Sequence, residues 1–397
     1  MPTLSWKNKT RSYNFPKLQW FPWYQHSASE NLLFWGDNGS ALQELASKFE
    51  NKINLIYLDP PFCSAANYHQ KIDVHGAPHE QLAYSDNWNE DDYLQFMYCR
   101  VLLLKSLLHD TGSIFLHCDP HQSHHLRAIL DEIFGANQFR NEIIWHYTGG
   151  GRAKKYFSQK HDTIFWYSNS KEWTFNIDEI RLPYAETSGY AKTGIKSRTG
   201  KIYFPNPKGK PADDTWDLPI INPMANERNG YPTQKPRKLL DRIILACSNP
   251  GEIVLDPFLG SGTTAESAIS NQRRFIGIDA NINALQCTRK RLLEQNLSDF
   301  SMFSSQKISN RKATVQLKQK NDDEWNISEV VVSDGQASIV QYMIVENRKK
   351  ELQINNSSSL VLSKLNSFTL VFLNGSQAHF QISAQQQFSS NPKLASD

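Results

Sequence analysis

The sequence predicts an α/β chain, a mostly parallel, doubly wound sheet with helices on both faces, followed by a small β-rich C-terminal appendage. Three observations carry this expectation. From Asn31 onward, short and densely apolar runs alternate with stretches of helical periodicity. One of those runs passes through a glycine-rich turn straight into a helix start, Asp256-Pro257-Phe258-Leu259-Gly260-Ser261-Gly262-Thr263. Past about residue 300 the helical spacing gives way to short β-branched runs among Asn, Ser and Gln.

Taken in order, residues 1–30 hold Trp20, Phe21, Trp23 and Tyr24 without periodicity and read as an aromatic arm. Residues 32–35 are apolar and meet Gly36-Asp37, and a helix is expected from near Ser40. The run 53–58 has the apolar density of a strand buried on both faces, and it stops at Asp59-Pro60-Pro61-Phe62. Within 91–109, Leu94, Phe96, Met97, Val101, Leu102, Leu104 and Leu107 fall at helical spacing. A strand at 113–117 then leads into a helix over 121–134. Two further strands, 143–147 and 163–167, flank a Gly-Gly-Gly-Arg loop. Regularity fails over 168–230. It returns with a helix at 236–248, a strand at 253–255, a helix after Gly262 and a strand at 275–278. Strands are expected at 330–332, 360–362 and 370–373, in a region that ends in a polar tail. The expected organisation is therefore an arm (1–30), two halves of one α/β domain (31–167 and 231–299) around an irregular insert (168–230), and an accessory region (300–397).

Length and charge narrow the function classes. A chain of 397 residues allows two or three domains. Lys and Arg number 43 against 40 Asp and Glu, so the net charge is +3, too small for a globally basic packaging protein. The charge is uneven, however. Residues 151–240 carry 16 basic and 9 acidic side chains, about +7, and 187–211 contain no acid at all. The basic residues there are Lys192, Lys196, Arg198, Lys201, Lys208 and Lys210, interleaved with Tyr190, Tyr203 and Phe204. No run approaches the roughly 18 apolar residues of a membrane helix. The start mixes Trp, Pro, Tyr and Lys, so no secretory signal is expected there. The five cysteines form no CxxC pair, which argues against a disulfide framework or zinc ribbon and for a reducing cytoplasm.

Two constellations carry chemistry. Gly260, Gly262 and Ala265 satisfy the loose dinucleotide pattern GxGxxG/A, in which backbone approaches a nucleotide-like ligand closely. A plain strand-to-helix turn needs the same glycines. Asp256 helps to choose the ligand: a carboxylate at that strand tip repels a pyrophosphate and attracts a cationic head. S-adenosylmethionine, with its ammonium and sulfonium, suits the turn better than NAD. Asp279, at the tip of the following strand, is placed to accept hydrogen bonds from ribose hydroxyls, although a helix cap would also account for it. In the second constellation, Pro60 and Pro61 remove backbone donors, so that Asp59 and the neighbouring carbonyls offer acceptors to one planar NH₂ group. Phe62 adds a flat face for stacking. Together they describe a clamp for the exocyclic amine of a nucleobase, although a proline-terminated strand with a capping Asp looks the same. Reaching such an amine in a duplex requires extrusion of the nucleotide, and the basic, aromatic 187–211 segment provides what phosphate neutralisation and stacking need.

With these residues in view, the chain resembles the β-class DNA amino-methyltransferases, the permuted order in which a DPPY/F catalytic box precedes the cofactor box. The resemblance runs over about 31–295. It includes Gly36-Asp37-Asn38, Asp59 to Phe62, Gly112 to Asp119, Tyr231-Pro232-Thr233-Gln234-Lys235-Pro236, Asp256 to Thr264, and Asp279. It implies a Rossmann-like, S-adenosylmethionine-dependent methyltransferase fold with Asp59, Pro60, Pro61 and Phe62 at the catalytic clamp. Asp37 would lie by the cofactor's adenine, and Asp256, Phe258, Gly260, Gly262 and Thr263 would line its pocket with Asp279. Lys235 would meet the methionine carboxylate. Residues 168–230 would form the target-recognition region, with Lys192, Lys196, Arg198, Lys201, Lys208 and Lys210 on double-stranded DNA. Phe62 stands where Tyr is commoner.

The resemblance further implies site-specific N6-adenine methylation in a restriction–modification or orphan system, with a cognate endonuclease or a homodimer as further partners. Asp at the first clamp position favours adenine, and cytosine N4 is the near alternative. An NAD-dependent oxidoreductase would leave the basic segment and the clamp unused, and a non-catalytic DNA-binding module would leave clamp and cofactor residues without purpose. No metal is expected, for no His/Cys cluster offers one.

Overall fold

Each central strand is apolar on both sides, and that decides the architecture: helices must cover both faces of one sheet. The computed structural model describes residues 4–24, 29–63, 66–74, 77–149, 153–295, 297 and 299–308, and the backbone of seven further strands between 313 and 395. In chain order the elements are β1 (Phe21–Tyr24), β2 (Leu32–Trp35), α1 (Asn38–Phe49), β3 (Ile53–Leu58), β4 (Asn67–Val74), β5 (Ala77–Ser85) and α2 (Glu90–Leu107). Next come β6 (Leu108–Cys118), α3 (Ser123–Phe134), β7 (Phe139–His146), β8 (His161–Ser168), α4 (Gly189–Thr193), β9 (Ile195–Lys196), β10 (Ile202–Tyr203) and β11 (Thr215–Asp217). The α/β part closes with α5 (Arg237–Cys247), β12 (Ile253–Asp256), α6 (Thr263–Ser270), β13 (Arg274–Asp279), α7 (Ile282–Glu294) and β14 (Ser301–Ser304).

Ten of the described strands form the main sheet in the order β1-β14-β2-β13-β12-β3-β6-β8-β7-β11. The centre is parallel: β14, β2, β13, β12, β3 and β6 all run one way. Strand β8 is antiparallel to both of its neighbours, and β1 is antiparallel to β14. The period of two along β3 sends Leu55 and Tyr57 into one core and Ile56 and Leu58 into the other. Helices α1, α2 and α3 pack on the second of these cores, and α5, α6 and α7 on the first. The result is a three-layer α/β/α domain, as the sequence predicts.

The topology settles where a ligand belongs. Strand β12 hands the chain through α6 to β13, toward one edge, while β3 hands it through α2 to β6, toward the other. The crevice between the carboxyl ends of β3 and β12 is therefore a switch point, the usual ligand position in open α/β sheets. Asp59 and Asp256, almost two hundred positions apart, leave adjacent parallel strands at the same end.

Several elements differ from expectation. The arm is not separate from the sheet, because β1 pairs with β14 at its edge. Aromatic contact does there what periodicity does elsewhere: Trp20 lies 5.1 Å from Phe34, Trp23 5.9 Å from Trp35 and Tyr24 5.0 Å from Phe300, centroid to centroid. The main sheet accordingly runs on to Ser304. The β4–β5 hairpin and α7 carry too many polar residues for apolar spacing to reveal them. Beyond 308, Ala313–Gln319, Trp325–Val332 and Lys393–Ala395 form one antiparallel sheet. Val340–Asn347, Lys350–Ile354, Ser367–Phe372 and Gln377–Gln381 form another, so this region is β-rich as expected. The expected strand at 360–362 lies outside the described residues.

The turn after β12 is held by its glycines. Gly260 and Gly262 both adopt left-handed φ, +52° and +77°, and a Cβ on Gly262 would run into the Thr288 side chain of α7. Gly262→Ala should therefore cost about 2–4 kcal/mol, the sum of the left-handed penalty and the collision. Thermal melting of the variant checks this, with a clearly lowered Tm expected.

Candidate active site

The two proline and glycine turns, the segment before α5 and the start of α1 enclose a cavity of about 280 Å³. Of the residues singled out in the sequence, Asp37, Asp59, Pro60, Pro61, Phe62, Lys235, Asp256, Phe258, Gly260, Thr263 and Asp279 line it. Gly262 does not. It sits one step behind, where it starts α6 against Thr288.

The turn after β3 is locked from beneath. Proline removes two amide donors, and the next two, on Phe62 and Cys63, donate to the Oδ2 and Oδ1 of buried Asp86 at 3.2 and 2.8 Å. This anchor holds Cys63 in the left-handed region at φ +58°, a conformation rare outside glycine. Asp59 then points into the cavity. Its Oδ2 accepts from Lys235 Nζ at 2.6 Å, while its Oδ1 is buried and has no hydrogen-bond partner among the described residues. The same ammonium lies 5.2 Å from the centre of the Phe62 ring. Lys235 is thus on the clamp carboxylate, where the resemblance had placed it against a cofactor carboxylate.

The second turn satisfies itself in the same manner. Asp256 Oδ1 accepts from the Phe258 amide at 2.9 Å and Oδ2 from the Thr264 hydroxyl at 2.6 Å. Asp279 Oδ2 accepts from the Gly260 amide and Oδ1 from the Asn281 amide, both at 2.8 Å. Each carboxylate still has lone pairs for a ligand. Burial pushes the Asp256 carboxyl up to about 7 against its own hydrogen bonds, and it pushes Asp279 up to about 6.

A buried guanidinium ties the first helix to this turn. Arg100 on α2 donates to Asn38 Oδ1 at 2.5 Å and to Asp37 Oδ2 at 2.8 Å, and its face lies 3.5 Å from the centre of the Phe96 ring. Asn38 in turn donates to the Pro257 carbonyl at 2.9 Å. Asp37 also caps α1 through the Ser40 amide. Burial lowers the Arg100 pKa to about 10.

Sequence reasoning missed several of the lining groups, notably Tyr57, Tyr84, Trp88 and Phe96. Alternation was the available signal for Tyr57, which stands two residues before Asp59 and so shares its face. From Tyr57 a polar chain runs across the strands β3, β6 and β8 on one face of the sheet. Its hydroxyl is 2.8 Å from His117 Nδ1, His117 Nε2 is 3.0 Å from Asp162 Oδ2, and the Tyr147 hydroxyl donates to Asp162 Oδ1 at 3.0 Å. Burial alone would raise the Asp162 carboxyl, but the hydrogen bond and charge of His117, with Lys235 and Tyr147, outweigh it and leave the group below its ordinary value. The six basic residues between 192 and 210 lie elsewhere, all exposed, around α4 and the β9–β10 hairpin. Only Lys210 pairs with an acid among the described residues, Asp213 at 3.2 Å.

Residues 53–290 match the family model described as DNA methylase. The chain is 31% identical over 282 residues to the DNA adenine methyltransferase YhdJ of Escherichia coli (strain K12), which covers 69% of this chain and 87% of that one. It is 29% identical over 320 residues to the Type II methyltransferase M.EcaI of Enterobacter cloacae, 66% of this chain and 69% of the relative. Among solved structures, the PvuII cytosine-N4-specific DNA methyltransferase aligns with a TM-score of 0.47 at 18% identity, over 72% of this chain and 93% of that one. The chain belongs to the DNA methylase family. It is a DNA methyltransferase, and S-adenosylmethionine is its methyl donor.

The cavity suits that donor. Four carboxylates (Asp37, Asp59, Asp256 and Asp279) face one ammonium, Lys235, in its wall, a balance that favours a cationic ligand. Phe62, Trp88, Phe96 and Phe258 supply flat apolar faces. Among the described residues no group of His, Cys, Asp and Glu could hold a metal ion, and no helix is long and apolar enough to cross a membrane.

The raised carboxyl of Asp256 makes a pH prediction. Between about pH 4 and 7 the folded chain holds a proton there that the unfolded chain has already lost, so this group's contribution to stability falls as pH rises. It levels off above 7. Melting from pH 5 to pH 8 should therefore cost the parent protein more Tm than it costs Asp256→Asn. Parallel Tm profiles of the two proteins would contradict the assignment.

Proposed function

We propose that the chain methylates the N6 amino group of adenine at specific sites in double-stranded DNA. The architecture is the permuted β-class order, in which the Asp59-Pro60-Pro61-Phe62 box precedes the cofactor turn. One observation carries this reading: Asp59 Oδ1 is a buried acceptor without a hydrogen-bond partner among the described residues, facing the cavity beside an aromatic ring. An unpaired buried acceptor costs roughly 1–3 kcal/mol, and a bound donor would recover that. A planar NH₂ group on a base stacked against Phe62 is such a donor.

S-adenosylmethionine, when bound, supplies an electrophilic methyl group. The protein's own contribution is to orient the nucleophile and exclude water. Lys235 fixes the Asp59 carboxylate by holding Oδ2, which leaves Oδ1 to accept from the amine and turn its nitrogen lone pair toward the cofactor side. Asp86 keeps the turn rigid through the Phe62 and Cys63 amides. Asp256, Asp279, Phe258 and Gly260 would hold the cofactor, with Asp37 at the adenine end of its pocket. Lys235 stands between the two ligands and would serve either.

The irregular region 168–230 is proposed to recognise the target. Support comes from the six exposed cations between 192 and 210 and from exposed Tyr203 and Phe204. Membership of a restriction–modification system, with a cognate endonuclease, is supported by the type II names among the relatives. The family name spans N6 and N4 methylation, and Asp at the first clamp position, Asp59, is what supports adenine over cytosine.

Nucleoside analysis of DNA from cells expressing the protein should show N6-methyladenine. N4-methylcytosine in its place would overturn the adenine assignment. Asp59→Asn, which keeps the shape of the side chain, should lower the methylation rate about 100-fold or more and leave S-adenosylmethionine affinity within a few fold. Equal loss of affinity and rate would remove Asp59 from the clamp.

A further inference from the structure

The loop between β7 and β8 contributes no residue to the cavity wall among the described residues. It leaves β7 after His146 and enters β8 at His161. Since β7 runs parallel to β3 and β12, the loop rises from the same end of the sheet as the two cavity turns. Its tip carries Phe157, 98% exposed, and Tyr156, 73% exposed. No other large hydrophobic side chain among the described residues is as exposed as Phe157. Lys154 and Lys155 precede the pair, Lys160 follows it, and the sequence from Tyr147 to His161 contains no acid.

The tip is built rather than loose. The Ala153 amide donates to Ser158 Oγ at 3.0 Å, which closes a short turn with residues 154–157 outside it. The Tyr147 amide donates to the Lys160 carbonyl at 3.0 Å and so joins the two stems. Those stems are also the end of the buried polar chain: Tyr147 and Asp162 meet each other, Asp162 meets His117, and His117 meets Tyr57 in the cavity wall. The His117 ring lies 6.1 Å from the ring of Phe62. The loop is thus mounted on the same internal framework as the clamp.

We propose that this loop is a duplex wedge. Phe157, with Tyr156 beside it, enters the base stack at the target step, and Lys154 and Lys155 meet the flanking phosphates. A base that leaves a duplex takes its stacking with it, and an aromatic side chain in the vacated or opened step restores part of that loss. The loop's charge complements a phosphate backbone, and its exposed rings have no protein surface to cover. This inference rests on the reading of the chain as a base-extruding DNA methyltransferase. It names a contact outside the 192–210 basic segment.

The test uses the full chain and an oligonucleotide duplex that carries the sequence it modifies in genomic DNA. A second duplex places the target base opposite an abasic site, where extrusion is already cheap. Phe157→Ala should lower kcat/KM on the matched duplex ten-fold or more. On the abasic duplex it should stay within about three-fold of the parent. Phe157→Trp should recover most of the loss, and S-adenosylmethionine affinity and Tm should be unchanged in both variants. Parent-like rates for Phe157→Ala on the matched duplex would overturn the proposal, as would an equal loss on both duplexes. Failure of the adenine assignment is read separately, from the base that the parent protein modifies.

Discussion

The site depends on one constraint, the adjacency of β3 and β12 as parallel strands that leave the sheet at the same end. It turns two remote sequence boxes into one cavity wall. It also brings Asp59 close enough to Asp256 to be among the causes that raise the Asp256 carboxyl. Nothing local to either turn produces this arrangement. It follows from the opposite directions in which α2 and α6 carry the chain away, which leaves the switch-point crevice open for a ligand.

The protein tolerates this concentration of negative charge by fixing each carboxylate separately. Asp86 is spent on the two amides after the prolines, Asp256 on the Phe258 amide and the Thr264 hydroxyl, and Asp279 on the amides of Gly260 and Asn281. Of the carboxylates that line the cavity, Asp59 is the one that keeps a buried oxygen without a hydrogen-bond partner among the described residues. A charge set satisfied everywhere but at one atom is a site organised toward a missing donor.

Most of the fold was legible in the sequence because its strands are short, apolar and sharply ended. Residues 53–58 and 253–255 could hardly be anything but buried strands, and the turns that follow them announce themselves by proline and glycine. The hairpin Asn67–Val74 with Ala77–Ser85 was not legible, since its side chains follow neither the period of two nor that of 3.6. Nor was the edge strand Phe21–Tyr24, whose place is set by aromatic partners from distant positions. In the site the same division holds. Asp59, Lys235, Asp256 and Asp279 stand in recognisable boxes, whereas the pairing of Lys235 with Asp59 and the grip of Arg100 on Asp37 and Asn38 are tertiary facts. Spacing in sequence carries no trace of a partner 176 or 63 positions away.

A neutral apolar layer would serve stability as well as Tyr57, His117, Asp162 and Tyr147 do, because a buried hydrogen-bonded network gains little over well-packed hydrocarbon. What such a network supplies is fixed geometry, since its members hold together only in one mutual arrangement. Here the chain begins at a side chain in the cavity wall, passes through His117 beside the Phe62 ring, and ends at both stems of the β7–β8 loop. The proline turn after β3 and the β7–β8 loop are therefore held to one frame. A displacement of the loop by bound DNA would be felt at Tyr57 through three hydrogen bonds, and the position of a base in the cavity would in turn be referred to the duplex from which it came.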